Sequence, residues 1–214
     1  MDFRLTEEQQ AFAQAAREFA QGELAPYAAQ WDEEHIFPRE AFAKAGQLGF
    51  CAMYAPESIG GLGLPRLDAT LVFEEMAAVD PSTTAFITIH NMATWMIGSW
   101  AQPGVRDHWG PLLASGEKLA SYCLTEPGAG SDAAALTTSA RREGDHYVLN
   151  GAKAAVIGAP WADKLIVSAR TLGGPRDHAG VSLFIVDRAS AGLHLQSFKT
   201  IDGRRAAEIT LKDV

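Results

Sequence analysis

The N-terminal half of the chain carries apolar side chains at helical spacing. Phe12, Ala16 and Phe19 recur three or four positions apart, which places them on one face of a helix. Thr6, followed three residues later by Gln9, is the sequence pattern of a capping box, in which each residue bonds the other's backbone. The pattern therefore predicts a first helix that begins directly after Thr6.

Prolines and glycines mark the ends of the helices predicted next. Pro38 suits a first helical position because it lacks an N–H, and Gly49 suits the end of the same helix. A further helix is predicted from Arg66 to Val79. Ser82 is a candidate N-cap for the long apolar helix that follows, and residues 102–116 predict only a short, interrupted helical piece.

The pattern changes near Lys118, where short runs rich in β-branched and aromatic residues begin. The predicted strands are residues 118–125, 146–151, 164–171, 181–187 and 208–213. Helices followed by strands predict an α+β chain with two domains. We place a helical bundle at residues 1–117 and a small β-barrel or β-sandwich at residues 118–214.

Composition and charge argue against several classes of protein. Apolar residues make up 47% of the chain and charged residues 21%, as in ordinary globular domains. The net charge of −8 argues against nucleic acid and anionic membranes as partners. The longest apolar run, residues 85–100, contains His90 and Asn91. It is too short and too polar to span a membrane, so it predicts a buried helix.

Cysteine usage and the first residues predict the compartment. Cys51 and Cys123 lie far apart, and neither has a second cysteine at CxxC spacing. We predict no disulfide, no metal site and a reducing compartment, either the cytoplasm or an organellar matrix. The first ten residues are polar and acidic and lack the apolar core of a secretory signal.

The segment YCLTEPGAGSD, from Tyr122 to Asp132, is the candidate site. It lacks the lysine of a P-loop, the glycine spacing of a dinucleotide-binding turn and the G-x-S-x-G pattern of a nucleophile elbow. Two interpretations remain. The segment is a surface turn between strands, or it is a nest of backbone N–H groups with flanking hydroxyls that suits a phosphate or a heteroaromatic ring edge.

Three other groups of residues leave alternatives open. Asp32–His35 contains metal-ligand types, but a solvated helix face is the favoured interpretation. His90 and Asn91 are either a hydrogen-bonded pair in the core or contacts to a ligand, and the core pair is favoured. Arg204 and Arg205 suit a phosphate, a partner subunit or a charged hairpin edge.

The segment YCLTEPGAGSD resembles the signature of the acyl-CoA dehydrogenases, flavoenzymes that desaturate acyl-CoA thioesters between the α and β carbons. Residues 54–64, 144–153 and 180–187 are similar to further segments of that family. Residues 66–100 and 119–136 look closest to its isobutyryl-CoA, or short branched-chain, branch. The resemblance covers essentially the whole chain and implies an N-terminal helical domain and a middle β domain. The family's C-terminal helical bundle is not expected within these residues.

The resemblance also implies a site for FAD. Leu124 and Thr125 would meet the flavin ring with a backbone N–H and a hydroxyl, and Gly130 and Ser131 would approach the pyrophosphate. Ser131 would also face the CoA part of the substrate. The implied cofactor-binding residues are Tyr122, Cys123, Leu124, Thr125, Gly130, Ser131, Ala155, Val156 and Ile157.

Two departures from the family pattern limit what the resemblance implies. Ala155 stands where the family places an aromatic residue over the flavin, and Ile157 stands where it places a serine or threonine; Val156 keeps the aliphatic residue between them. Both changes predict that flavin binding is weakened or that the redox chemistry of the flavin is altered. Glu126 resembles a structural carboxylate of the family, with Pro127 setting the turn beside it.

The catalytic glutamate of the family belongs to the C-terminal bundle, so we expect no catalytic residue among these 214. The implied partners are an acyl-CoA substrate, an electron-transferring flavoprotein as electron acceptor and further subunits in a homo- or hetero-oligomer. Two hypotheses follow. The chain is part of an FAD-dependent acyl-CoA dehydrogenase acting on a short, branched acyl-CoA, or it is a non-catalytic fragment or partner that assembles with a complete dehydrogenase.

Overall fold

The computed structural model describes residues 4–200 and 205–214. The chain forms two compact units that divide between Lys118 and Leu119. The first unit contains the helices and the second contains the strands, so the predicted α+β class is confirmed. Arg204 lies outside the described residues, and its candidate role stays a prediction.

The first unit contains six α-helices within the described residues. They are α1 (Glu7–Phe19), α2 (Ala28–Glu34), α3 (Arg39–Gln47), α4 (Arg66–Ala77), α5 (Pro81–Trp100) and α6 (Pro103–Ala114). A π-helical turn, Ala20–Leu24, continues α1, and a 3₁₀ turn, Glu57–Ile59, lies between α3 and α4. The capping box that begins α1 is confirmed, since Gln9 N donates to Thr6 Oγ1 at 3.1 Å and Thr6 N donates to Gln9 Oε1 at 3.0 Å.

Two predicted helix starts are wrong by one or two residues. Asp80, not Ser82, caps α5: its Oδ1 accepts the Thr83 N–H at 2.9 Å, and Pro81 takes the first helical position. Aspartate and serine are comparable N-caps, and Pro81 suits the first helical position because it lacks an N–H, so the helix begins directly after Asp80. Pro38 immediately precedes α3 instead of forming its first residue.

The interruption predicted for residues 102–116 is also wrong, because α6 runs through Pro111 without a break. The proline removes a single intrahelical hydrogen bond. Packing compensates for the loss, since Leu113 and Ala114 are buried and Gly110 lies directly against Ile59. A Cβ built at Gly110 would stand 2.6 Å from Ile59 Cγ2, so a larger residue would push the helix away.

Helix α5 forms the core of the first unit, as its apolar run predicts. Asn91 is fully buried and hydrogen-bonded: its Oδ1 accepts Met53 N at 2.7 Å, and its Nδ2 donates to Phe50 O at 2.7 Å. His90 Nε2 lies 2.9 Å from Leu113 O. The interpretation of His90 and Asn91 as a satisfied core pair is confirmed. No helix among the described residues is long and apolar enough to cross a membrane.

The second unit is a strongly curled sheet of seven strands within the described residues. They are β1 (Ala120–Cys123), β2 (Ser139–Glu143), β3 (His146–Ile157), β4 (Lys164–Arg170), β5 (Val181–Asp187), β6 (Leu193–Lys199) and β7 (Arg205–Leu211). Five of them coincide with predicted runs. β2 and β6 were not predicted, because most of their side chains are polar and exposed and the apolar alternation is weak.

The long strand β3 makes the sheet curl. Its first half pairs antiparallel with β2, and its second half pairs antiparallel with β7. Gly151 lies at the change of partner with φ 155°, and a Cβ there would stand 2.5 Å from Thr138 Oγ1. β1 pairs parallel with β4, and β5 pairs antiparallel with β4. The enclosed core includes Cys123, Leu149, Val156, Leu165, Val167, Ile209 and Leu211.

Candidate functional site

The candidate loop begins where β1 ends at Cys123 and turns back on itself almost at once. Glu126 N donates to Ala129 O at 2.9 Å, and Ala129 N donates to Glu126 O at 3.1 Å. Pro127 and Gly128 are the two central residues of this tight turn, where the fixed φ of proline is favourable. The role predicted for Pro127 is therefore confirmed.

A buried ion pair holds the loop against the sheet. Lys153 Nζ lies 2.8 Å from Glu126 Oε1, and the two side chains are 0% and 3% exposed. The same ammonium group donates to Ser168 Oγ at 3.1 Å and to Leu124 O at 3.2 Å. Ser168 Oγ in turn donates to Cys123 O at 3.1 Å. One lysine on β3 therefore binds the start of the loop and β4 simultaneously.

The Glu126 carboxylate receives donors from a third direction. Oε2 accepts the Thr137 N–H at 2.7 Å and the Thr137 hydroxyl at 2.8 Å, while Oε1 accepts the Thr138 N–H at 3.0 Å. With Lys153, four donors surround the two oxygens. The loop is thereby joined to the residues that lead into β2, and the carboxylate has a structural role.

The electrostatics of the pair exclude Glu126 as a base. Burial alone would raise the pKa of this carboxyl, but the hydrogen bonds from Lys153, Thr138 and Thr137 outweigh burial and lower the pKa to about 2. Burial lowers the pKa of the Lys153 ammonium, and the Glu126 charge opposes that effect. A carboxylate with such a low pKa and filled acceptors cannot take a proton from a substrate near neutral pH.

The second predicted segment lies directly beside the loop. Ala154 N donates to Thr125 O at 2.8 Å, and Ser121 Oγ donates to Ile157 O at 2.6 Å. The pairing of β3 with β7 shifts register between Lys153 and Val156, which marks a β-bulge. Bulges re-aim side chains and are common next to active sites. The structure thus brings residues 121–126 and 154–157 together.

Ala155 occupies this bulge in a left-handed conformation. Its φ is 52°, a region that a residue with a Cβ enters at a cost of roughly 1 kcal/mol. The side chain is exposed, whereas Val156 is 2% exposed and belongs to the barrel core. Ile157 is half-buried. The exposed side chain at the bulge is therefore that of Ala155, and the side chain of Val156 is not accessible to a ligand.

The remaining predicted residues divide between the core and the surface. Cys123 is fully buried, and burial raises the pKa of its thiol to about 12, so its side chain is not accessible to a ligand. Tyr122 and Leu124 are half-buried and lie on the opposite face of the strand from Cys123. Thr125 and Ser131 are exposed, and neither hydroxyl bonds another described residue.

The glycines of the loop face open space. Gly128 and Gly130 have no heavy atom within 4 Å of a Cβ built on them, and neither adopts a positive φ. Neither backbone conformation nor packing within the described chain therefore requires glycine at these two positions. A requirement for glycine here would have to come from a group outside the chain that approaches the backbone closely.

Sequence reasoning missed Lys153, Ser168, Thr137 and Thr138 as members of the site. One signal was present: Lys153 is the only charged residue between Gly151 and Trp161, and the second half of β3 is otherwise apolar. A lysine in such a strand is buried only if it is paired. The partner lies 27 residues earlier in the chain, so the sequence alone does not identify it.

The metal interpretation of residues 32–35 gains no support. Asp32, Glu33 and Glu34 are exposed on α2, as expected of a solvated helix face. No group of three or more His, Cys, Asp or Glu side chains arranged to hold a metal ion occurs in the part of the chain that the structure describes.

Comparison with known proteins defines the class. The protein-family model for the acyl-CoA dehydrogenase N-terminal domain matches residues 6–117. The family model for the acyl-CoA dehydrogenase middle domain matches residues 121–214. The chain therefore belongs to the acyl-CoA dehydrogenase family, and the resemblance stated from the sequence is confirmed.

Particular relatives place the chain within the family. It is 46% identical over 189 residues to a mitochondrial isobutyryl-CoA dehydrogenase of Dictyostelium discoideum and 47% identical over 190 residues to that of Bos taurus. Each comparison covers 88% of this chain and 45% of the relative. A glutaryl-CoA dehydrogenase from Mycobacterium smegmatis in complex with FADH2 superposes with a TM-score of 0.89 at 26% identity, over 98% of this chain and 54% of that one. The chain thus spans about half the length of these relatives.

The first prediction concerns the ion pair. Glu126→Gln leaves a buried ammonium without its counter-charge, so we expect the second unit to lose about 3–5 kcal/mol of stability. Adding Lys153→Met should restore part of the loss. Urea unfolding can be followed by ¹⁹F NMR of 5-fluorotryptophan, because Trp161 is the only tryptophan of the second unit. Asp187→Asn, which breaks the more exposed Lys164–Asp187 pair at 2.7 Å, is the matched control and should cost under about 1 kcal/mol. Equal effects of Glu126→Gln and the control would contradict the structural role.

The second prediction concerns acid. The folded-state pKa of Glu126, about 2, lies below the unfolded value of about 4.3. The resulting stabilisation is fully present above pH 4.3 and is lost as pH falls toward 2. Glu126→Gln should remove this contribution, so its stability should fall less steeply between pH 5 and pH 2.5 in the same ¹⁹F measurement. Parallel slopes for the two proteins would show that Glu126 titrates normally.

Proposed function

We propose that this chain is part of a dehydrogenase that desaturates a short, branched acyl-CoA, and that its second unit supplies part of the FAD site. The observation that carries the proposal is the open loop at residues 124–132 (the glycine loop). The Glu126–Lys153 pair holds this loop in place beside the bulge at Ala155. The sequence identity of the chain to isobutyryl-CoA dehydrogenases supports a short, branched acyl-CoA as the substrate.

The exposed groups of the loop suit a flavin. The Thr125 and Ser131 hydroxyls bond no other residue in the described part of the chain, so they can donate to a bound group, and Gly128 and Gly130 let a ligand reach the backbone. Donors held in place by a rigid scaffold stabilise charge that develops on a ligand, because they need no reorganisation. When bound, FAD supplies the acceptor for the hydride that leaves the β carbon of the substrate. The residues of this chain bind and orient the FAD.

We assign no catalytic base to these 214 residues. The carboxylate at the centre of the site, Glu126, is held ionised by four donors and points into the sheet. We propose that the α proton is taken by a carboxylate outside this chain segment, and that an electron-transferring flavoprotein receives the electrons. The mitochondrial relatives favour an organellar matrix as the compartment.

A second candidate function is a non-catalytic chain that assembles with a complete dehydrogenase. The observation that favours it is the pair Ala155 and Ile157, which offers neither an aromatic face nor a hydroxyl beside the loop. A flavin site without these groups holds the ring less tightly. A chain that binds no flavin by itself but co-purifies with a complete dehydrogenase subunit would favour this function.

The third prediction tests the cofactor. Titration of the chain with FAD, followed by flavin absorbance and fluorescence, should show saturable binding. Gly130→Ala should weaken it by about tenfold, since a new Cβ stands where the ligand approaches, while stability stays within about 0.5 kcal/mol. Gly104→Ala is the matched control, because Gly104 is equally open but lies in α6. Absence of binding by the unaltered chain overturns the proposal.

The fourth prediction concerns the two departures from the family. Ala155→Phe together with Ile157→Ser should tighten FAD by about tenfold, through one ring contact and one hydrogen bond of about 1 kcal/mol each, less the strain of a bulky residue at φ 52°. Ile185→Ser, at another half-buried strand position, is the control and should leave affinity unchanged. Unchanged affinity in the double variant would remove these positions from the site.

A further inference from the structure

The loop between β4 and β5, residues 171–180, packs onto the segment that leaves the glycine loop. Ala134 O, three residues after Ser131, accepts the Arg170 guanidinium Nη2 at 2.7 Å and the Arg176 N–H at 3.1 Å. Ala134 belongs to a short 3₁₀ turn, Ala133–Ala135. The exit of the glycine loop is therefore held from outside by residues that are more than 35 positions away in the chain.

Arg170 bridges the two loops with one side chain. While Nη2 donates to Ala134 O, Nη1 donates to Asp177 O and to Ala179 O at 3.3 Å each. The guanidinium is planar and presents its donors in a fixed fork, so its orientation sets the distance between the three carbonyls. Its Nε is one of two buried side-chain nitrogen or oxygen atoms without a partner among the described residues. The side chain therefore serves the three carbonyls at the expense of its own complete hydrogen bonding.

The loop that Arg170 contacts, residues 171–180, is held in shape by its own hydrogen bonds. Asp177 Oδ2 accepts the Gly174 N–H at 2.6 Å, and Asp177 N donates to Gly174 O at 3.2 Å. Gly180 closes the loop with φ 90°, and a Cβ there would stand 2.2 Å from Leu172 O. Arg170 and the loop at residues 171–180 thus form a compact brace. This brace can transmit the position of β4 to the glycine loop.

The exposed ion pair between Arg176 and Asp132 contributes less to holding the two loops together than Arg170 does. Arg176 Nε lies 3.0 Å from Asp132 Oδ2, and the two side chains are 76% and 52% exposed. Exposed pairs of this kind contribute little to stability, since water solvates both charges. The positioning therefore rests on Arg170 and not on Asp132.

We propose that Arg170 is a positioning residue that holds residues 128–134 in a single backbone arrangement, so that the donors of Gly130 and Ser131 are fixed before a phosphate-bearing cofactor arrives. Glu126 and Lys153 fix the entry of the loop, and Arg170 fixes its exit. The inference rests on the proposed function for its consequence in flavin binding, but the brace itself is a property of the chain without flavin.

The fifth prediction uses Arg170→Lys, which keeps the charge and removes the fork. Amide hydrogen exchange, measured by mass spectrometry on the full chain without flavin, should become about tenfold faster in peptides covering residues 128–137, with exchange in β3 and β7 unchanged. FAD affinity should fall by about fivefold or more. Arg142→Lys is the matched control, because Arg142 Nε donates to Gly144 O at 3.0 Å in a turn away from the loop. Asp132→Asn should have less than twofold effect on either quantity.

The outcomes are distinct. Unchanged exchange at residues 128–137 in Arg170→Lys overturns the brace, whatever FAD does. Faster exchange with unchanged FAD affinity overturns the positioning role toward the cofactor. If the unaltered chain binds no FAD, the proposed function fails, and the exchange measurement still decides the brace. Gly180→Ala, which disturbs the β4–β5 loop from its other end, should reproduce the faster exchange and serves if Arg170→Lys does not fold.

Discussion

The buried contact between Lys153 and Glu126 is the interaction on which the candidate site depends. A lysine and a glutamate that are 0% and 3% exposed have lost the water that would solvate them, and only mutual attraction with complete hydrogen bonding makes such burial tolerable. The donors to Glu126 come from β3 and from the entry to β2, and Lys153 also binds Leu124 O and Ser168 on β4. The pair is therefore a junction of three strands and one loop. An apolar pair of similar volume would fill the space but would not specify which carbonyls point inward.

Helices and strands with strong apolar periodicity could be predicted from the sequence, and elements governed by a single polar contact could not. Thr6 and Gln9 predict the start of α1, and the apolar run predicts α5 as a buried helix. Asp80 and Ser82 are both good caps by residue type, and only the position of Pro81 decides between them. β2 and β6 escaped prediction because most of their side chains are polar and exposed, so pairing with β3 and β7 specifies them, not their own pattern.

The candidate site shows the same division. The family resemblance selects the loop and the segment around Ala155 from the sequence, because the order of residue types is recognisable there. It does not reveal that Ala155 stands in a bulge with φ 52° or that Val156 faces the core. These properties arise from the register of β3 against β7, which is set by contacts distant in the chain. The brace at Arg170 could not be predicted from the sequence for the same reason, since its three partners are backbone carbonyls, which every residue carries.

The orientation of the loop carbonyls explains what kind of ligand the site suits. Leu124 O accepts from Lys153 and Thr125 O accepts from Ala154, so both acceptors at the entry are directed toward β3. The carboxylate of Glu126 is likewise turned inward and neutralised by the ammonium group. Acceptors that would repel an electron-rich ligand are thus withdrawn, while the hydroxyls of Thr125 and Ser131 are exposed and bond no other residue that the structure describes. A loop built in this way presents donors outward, and donors are what a phosphate or a ring that gains negative charge requires.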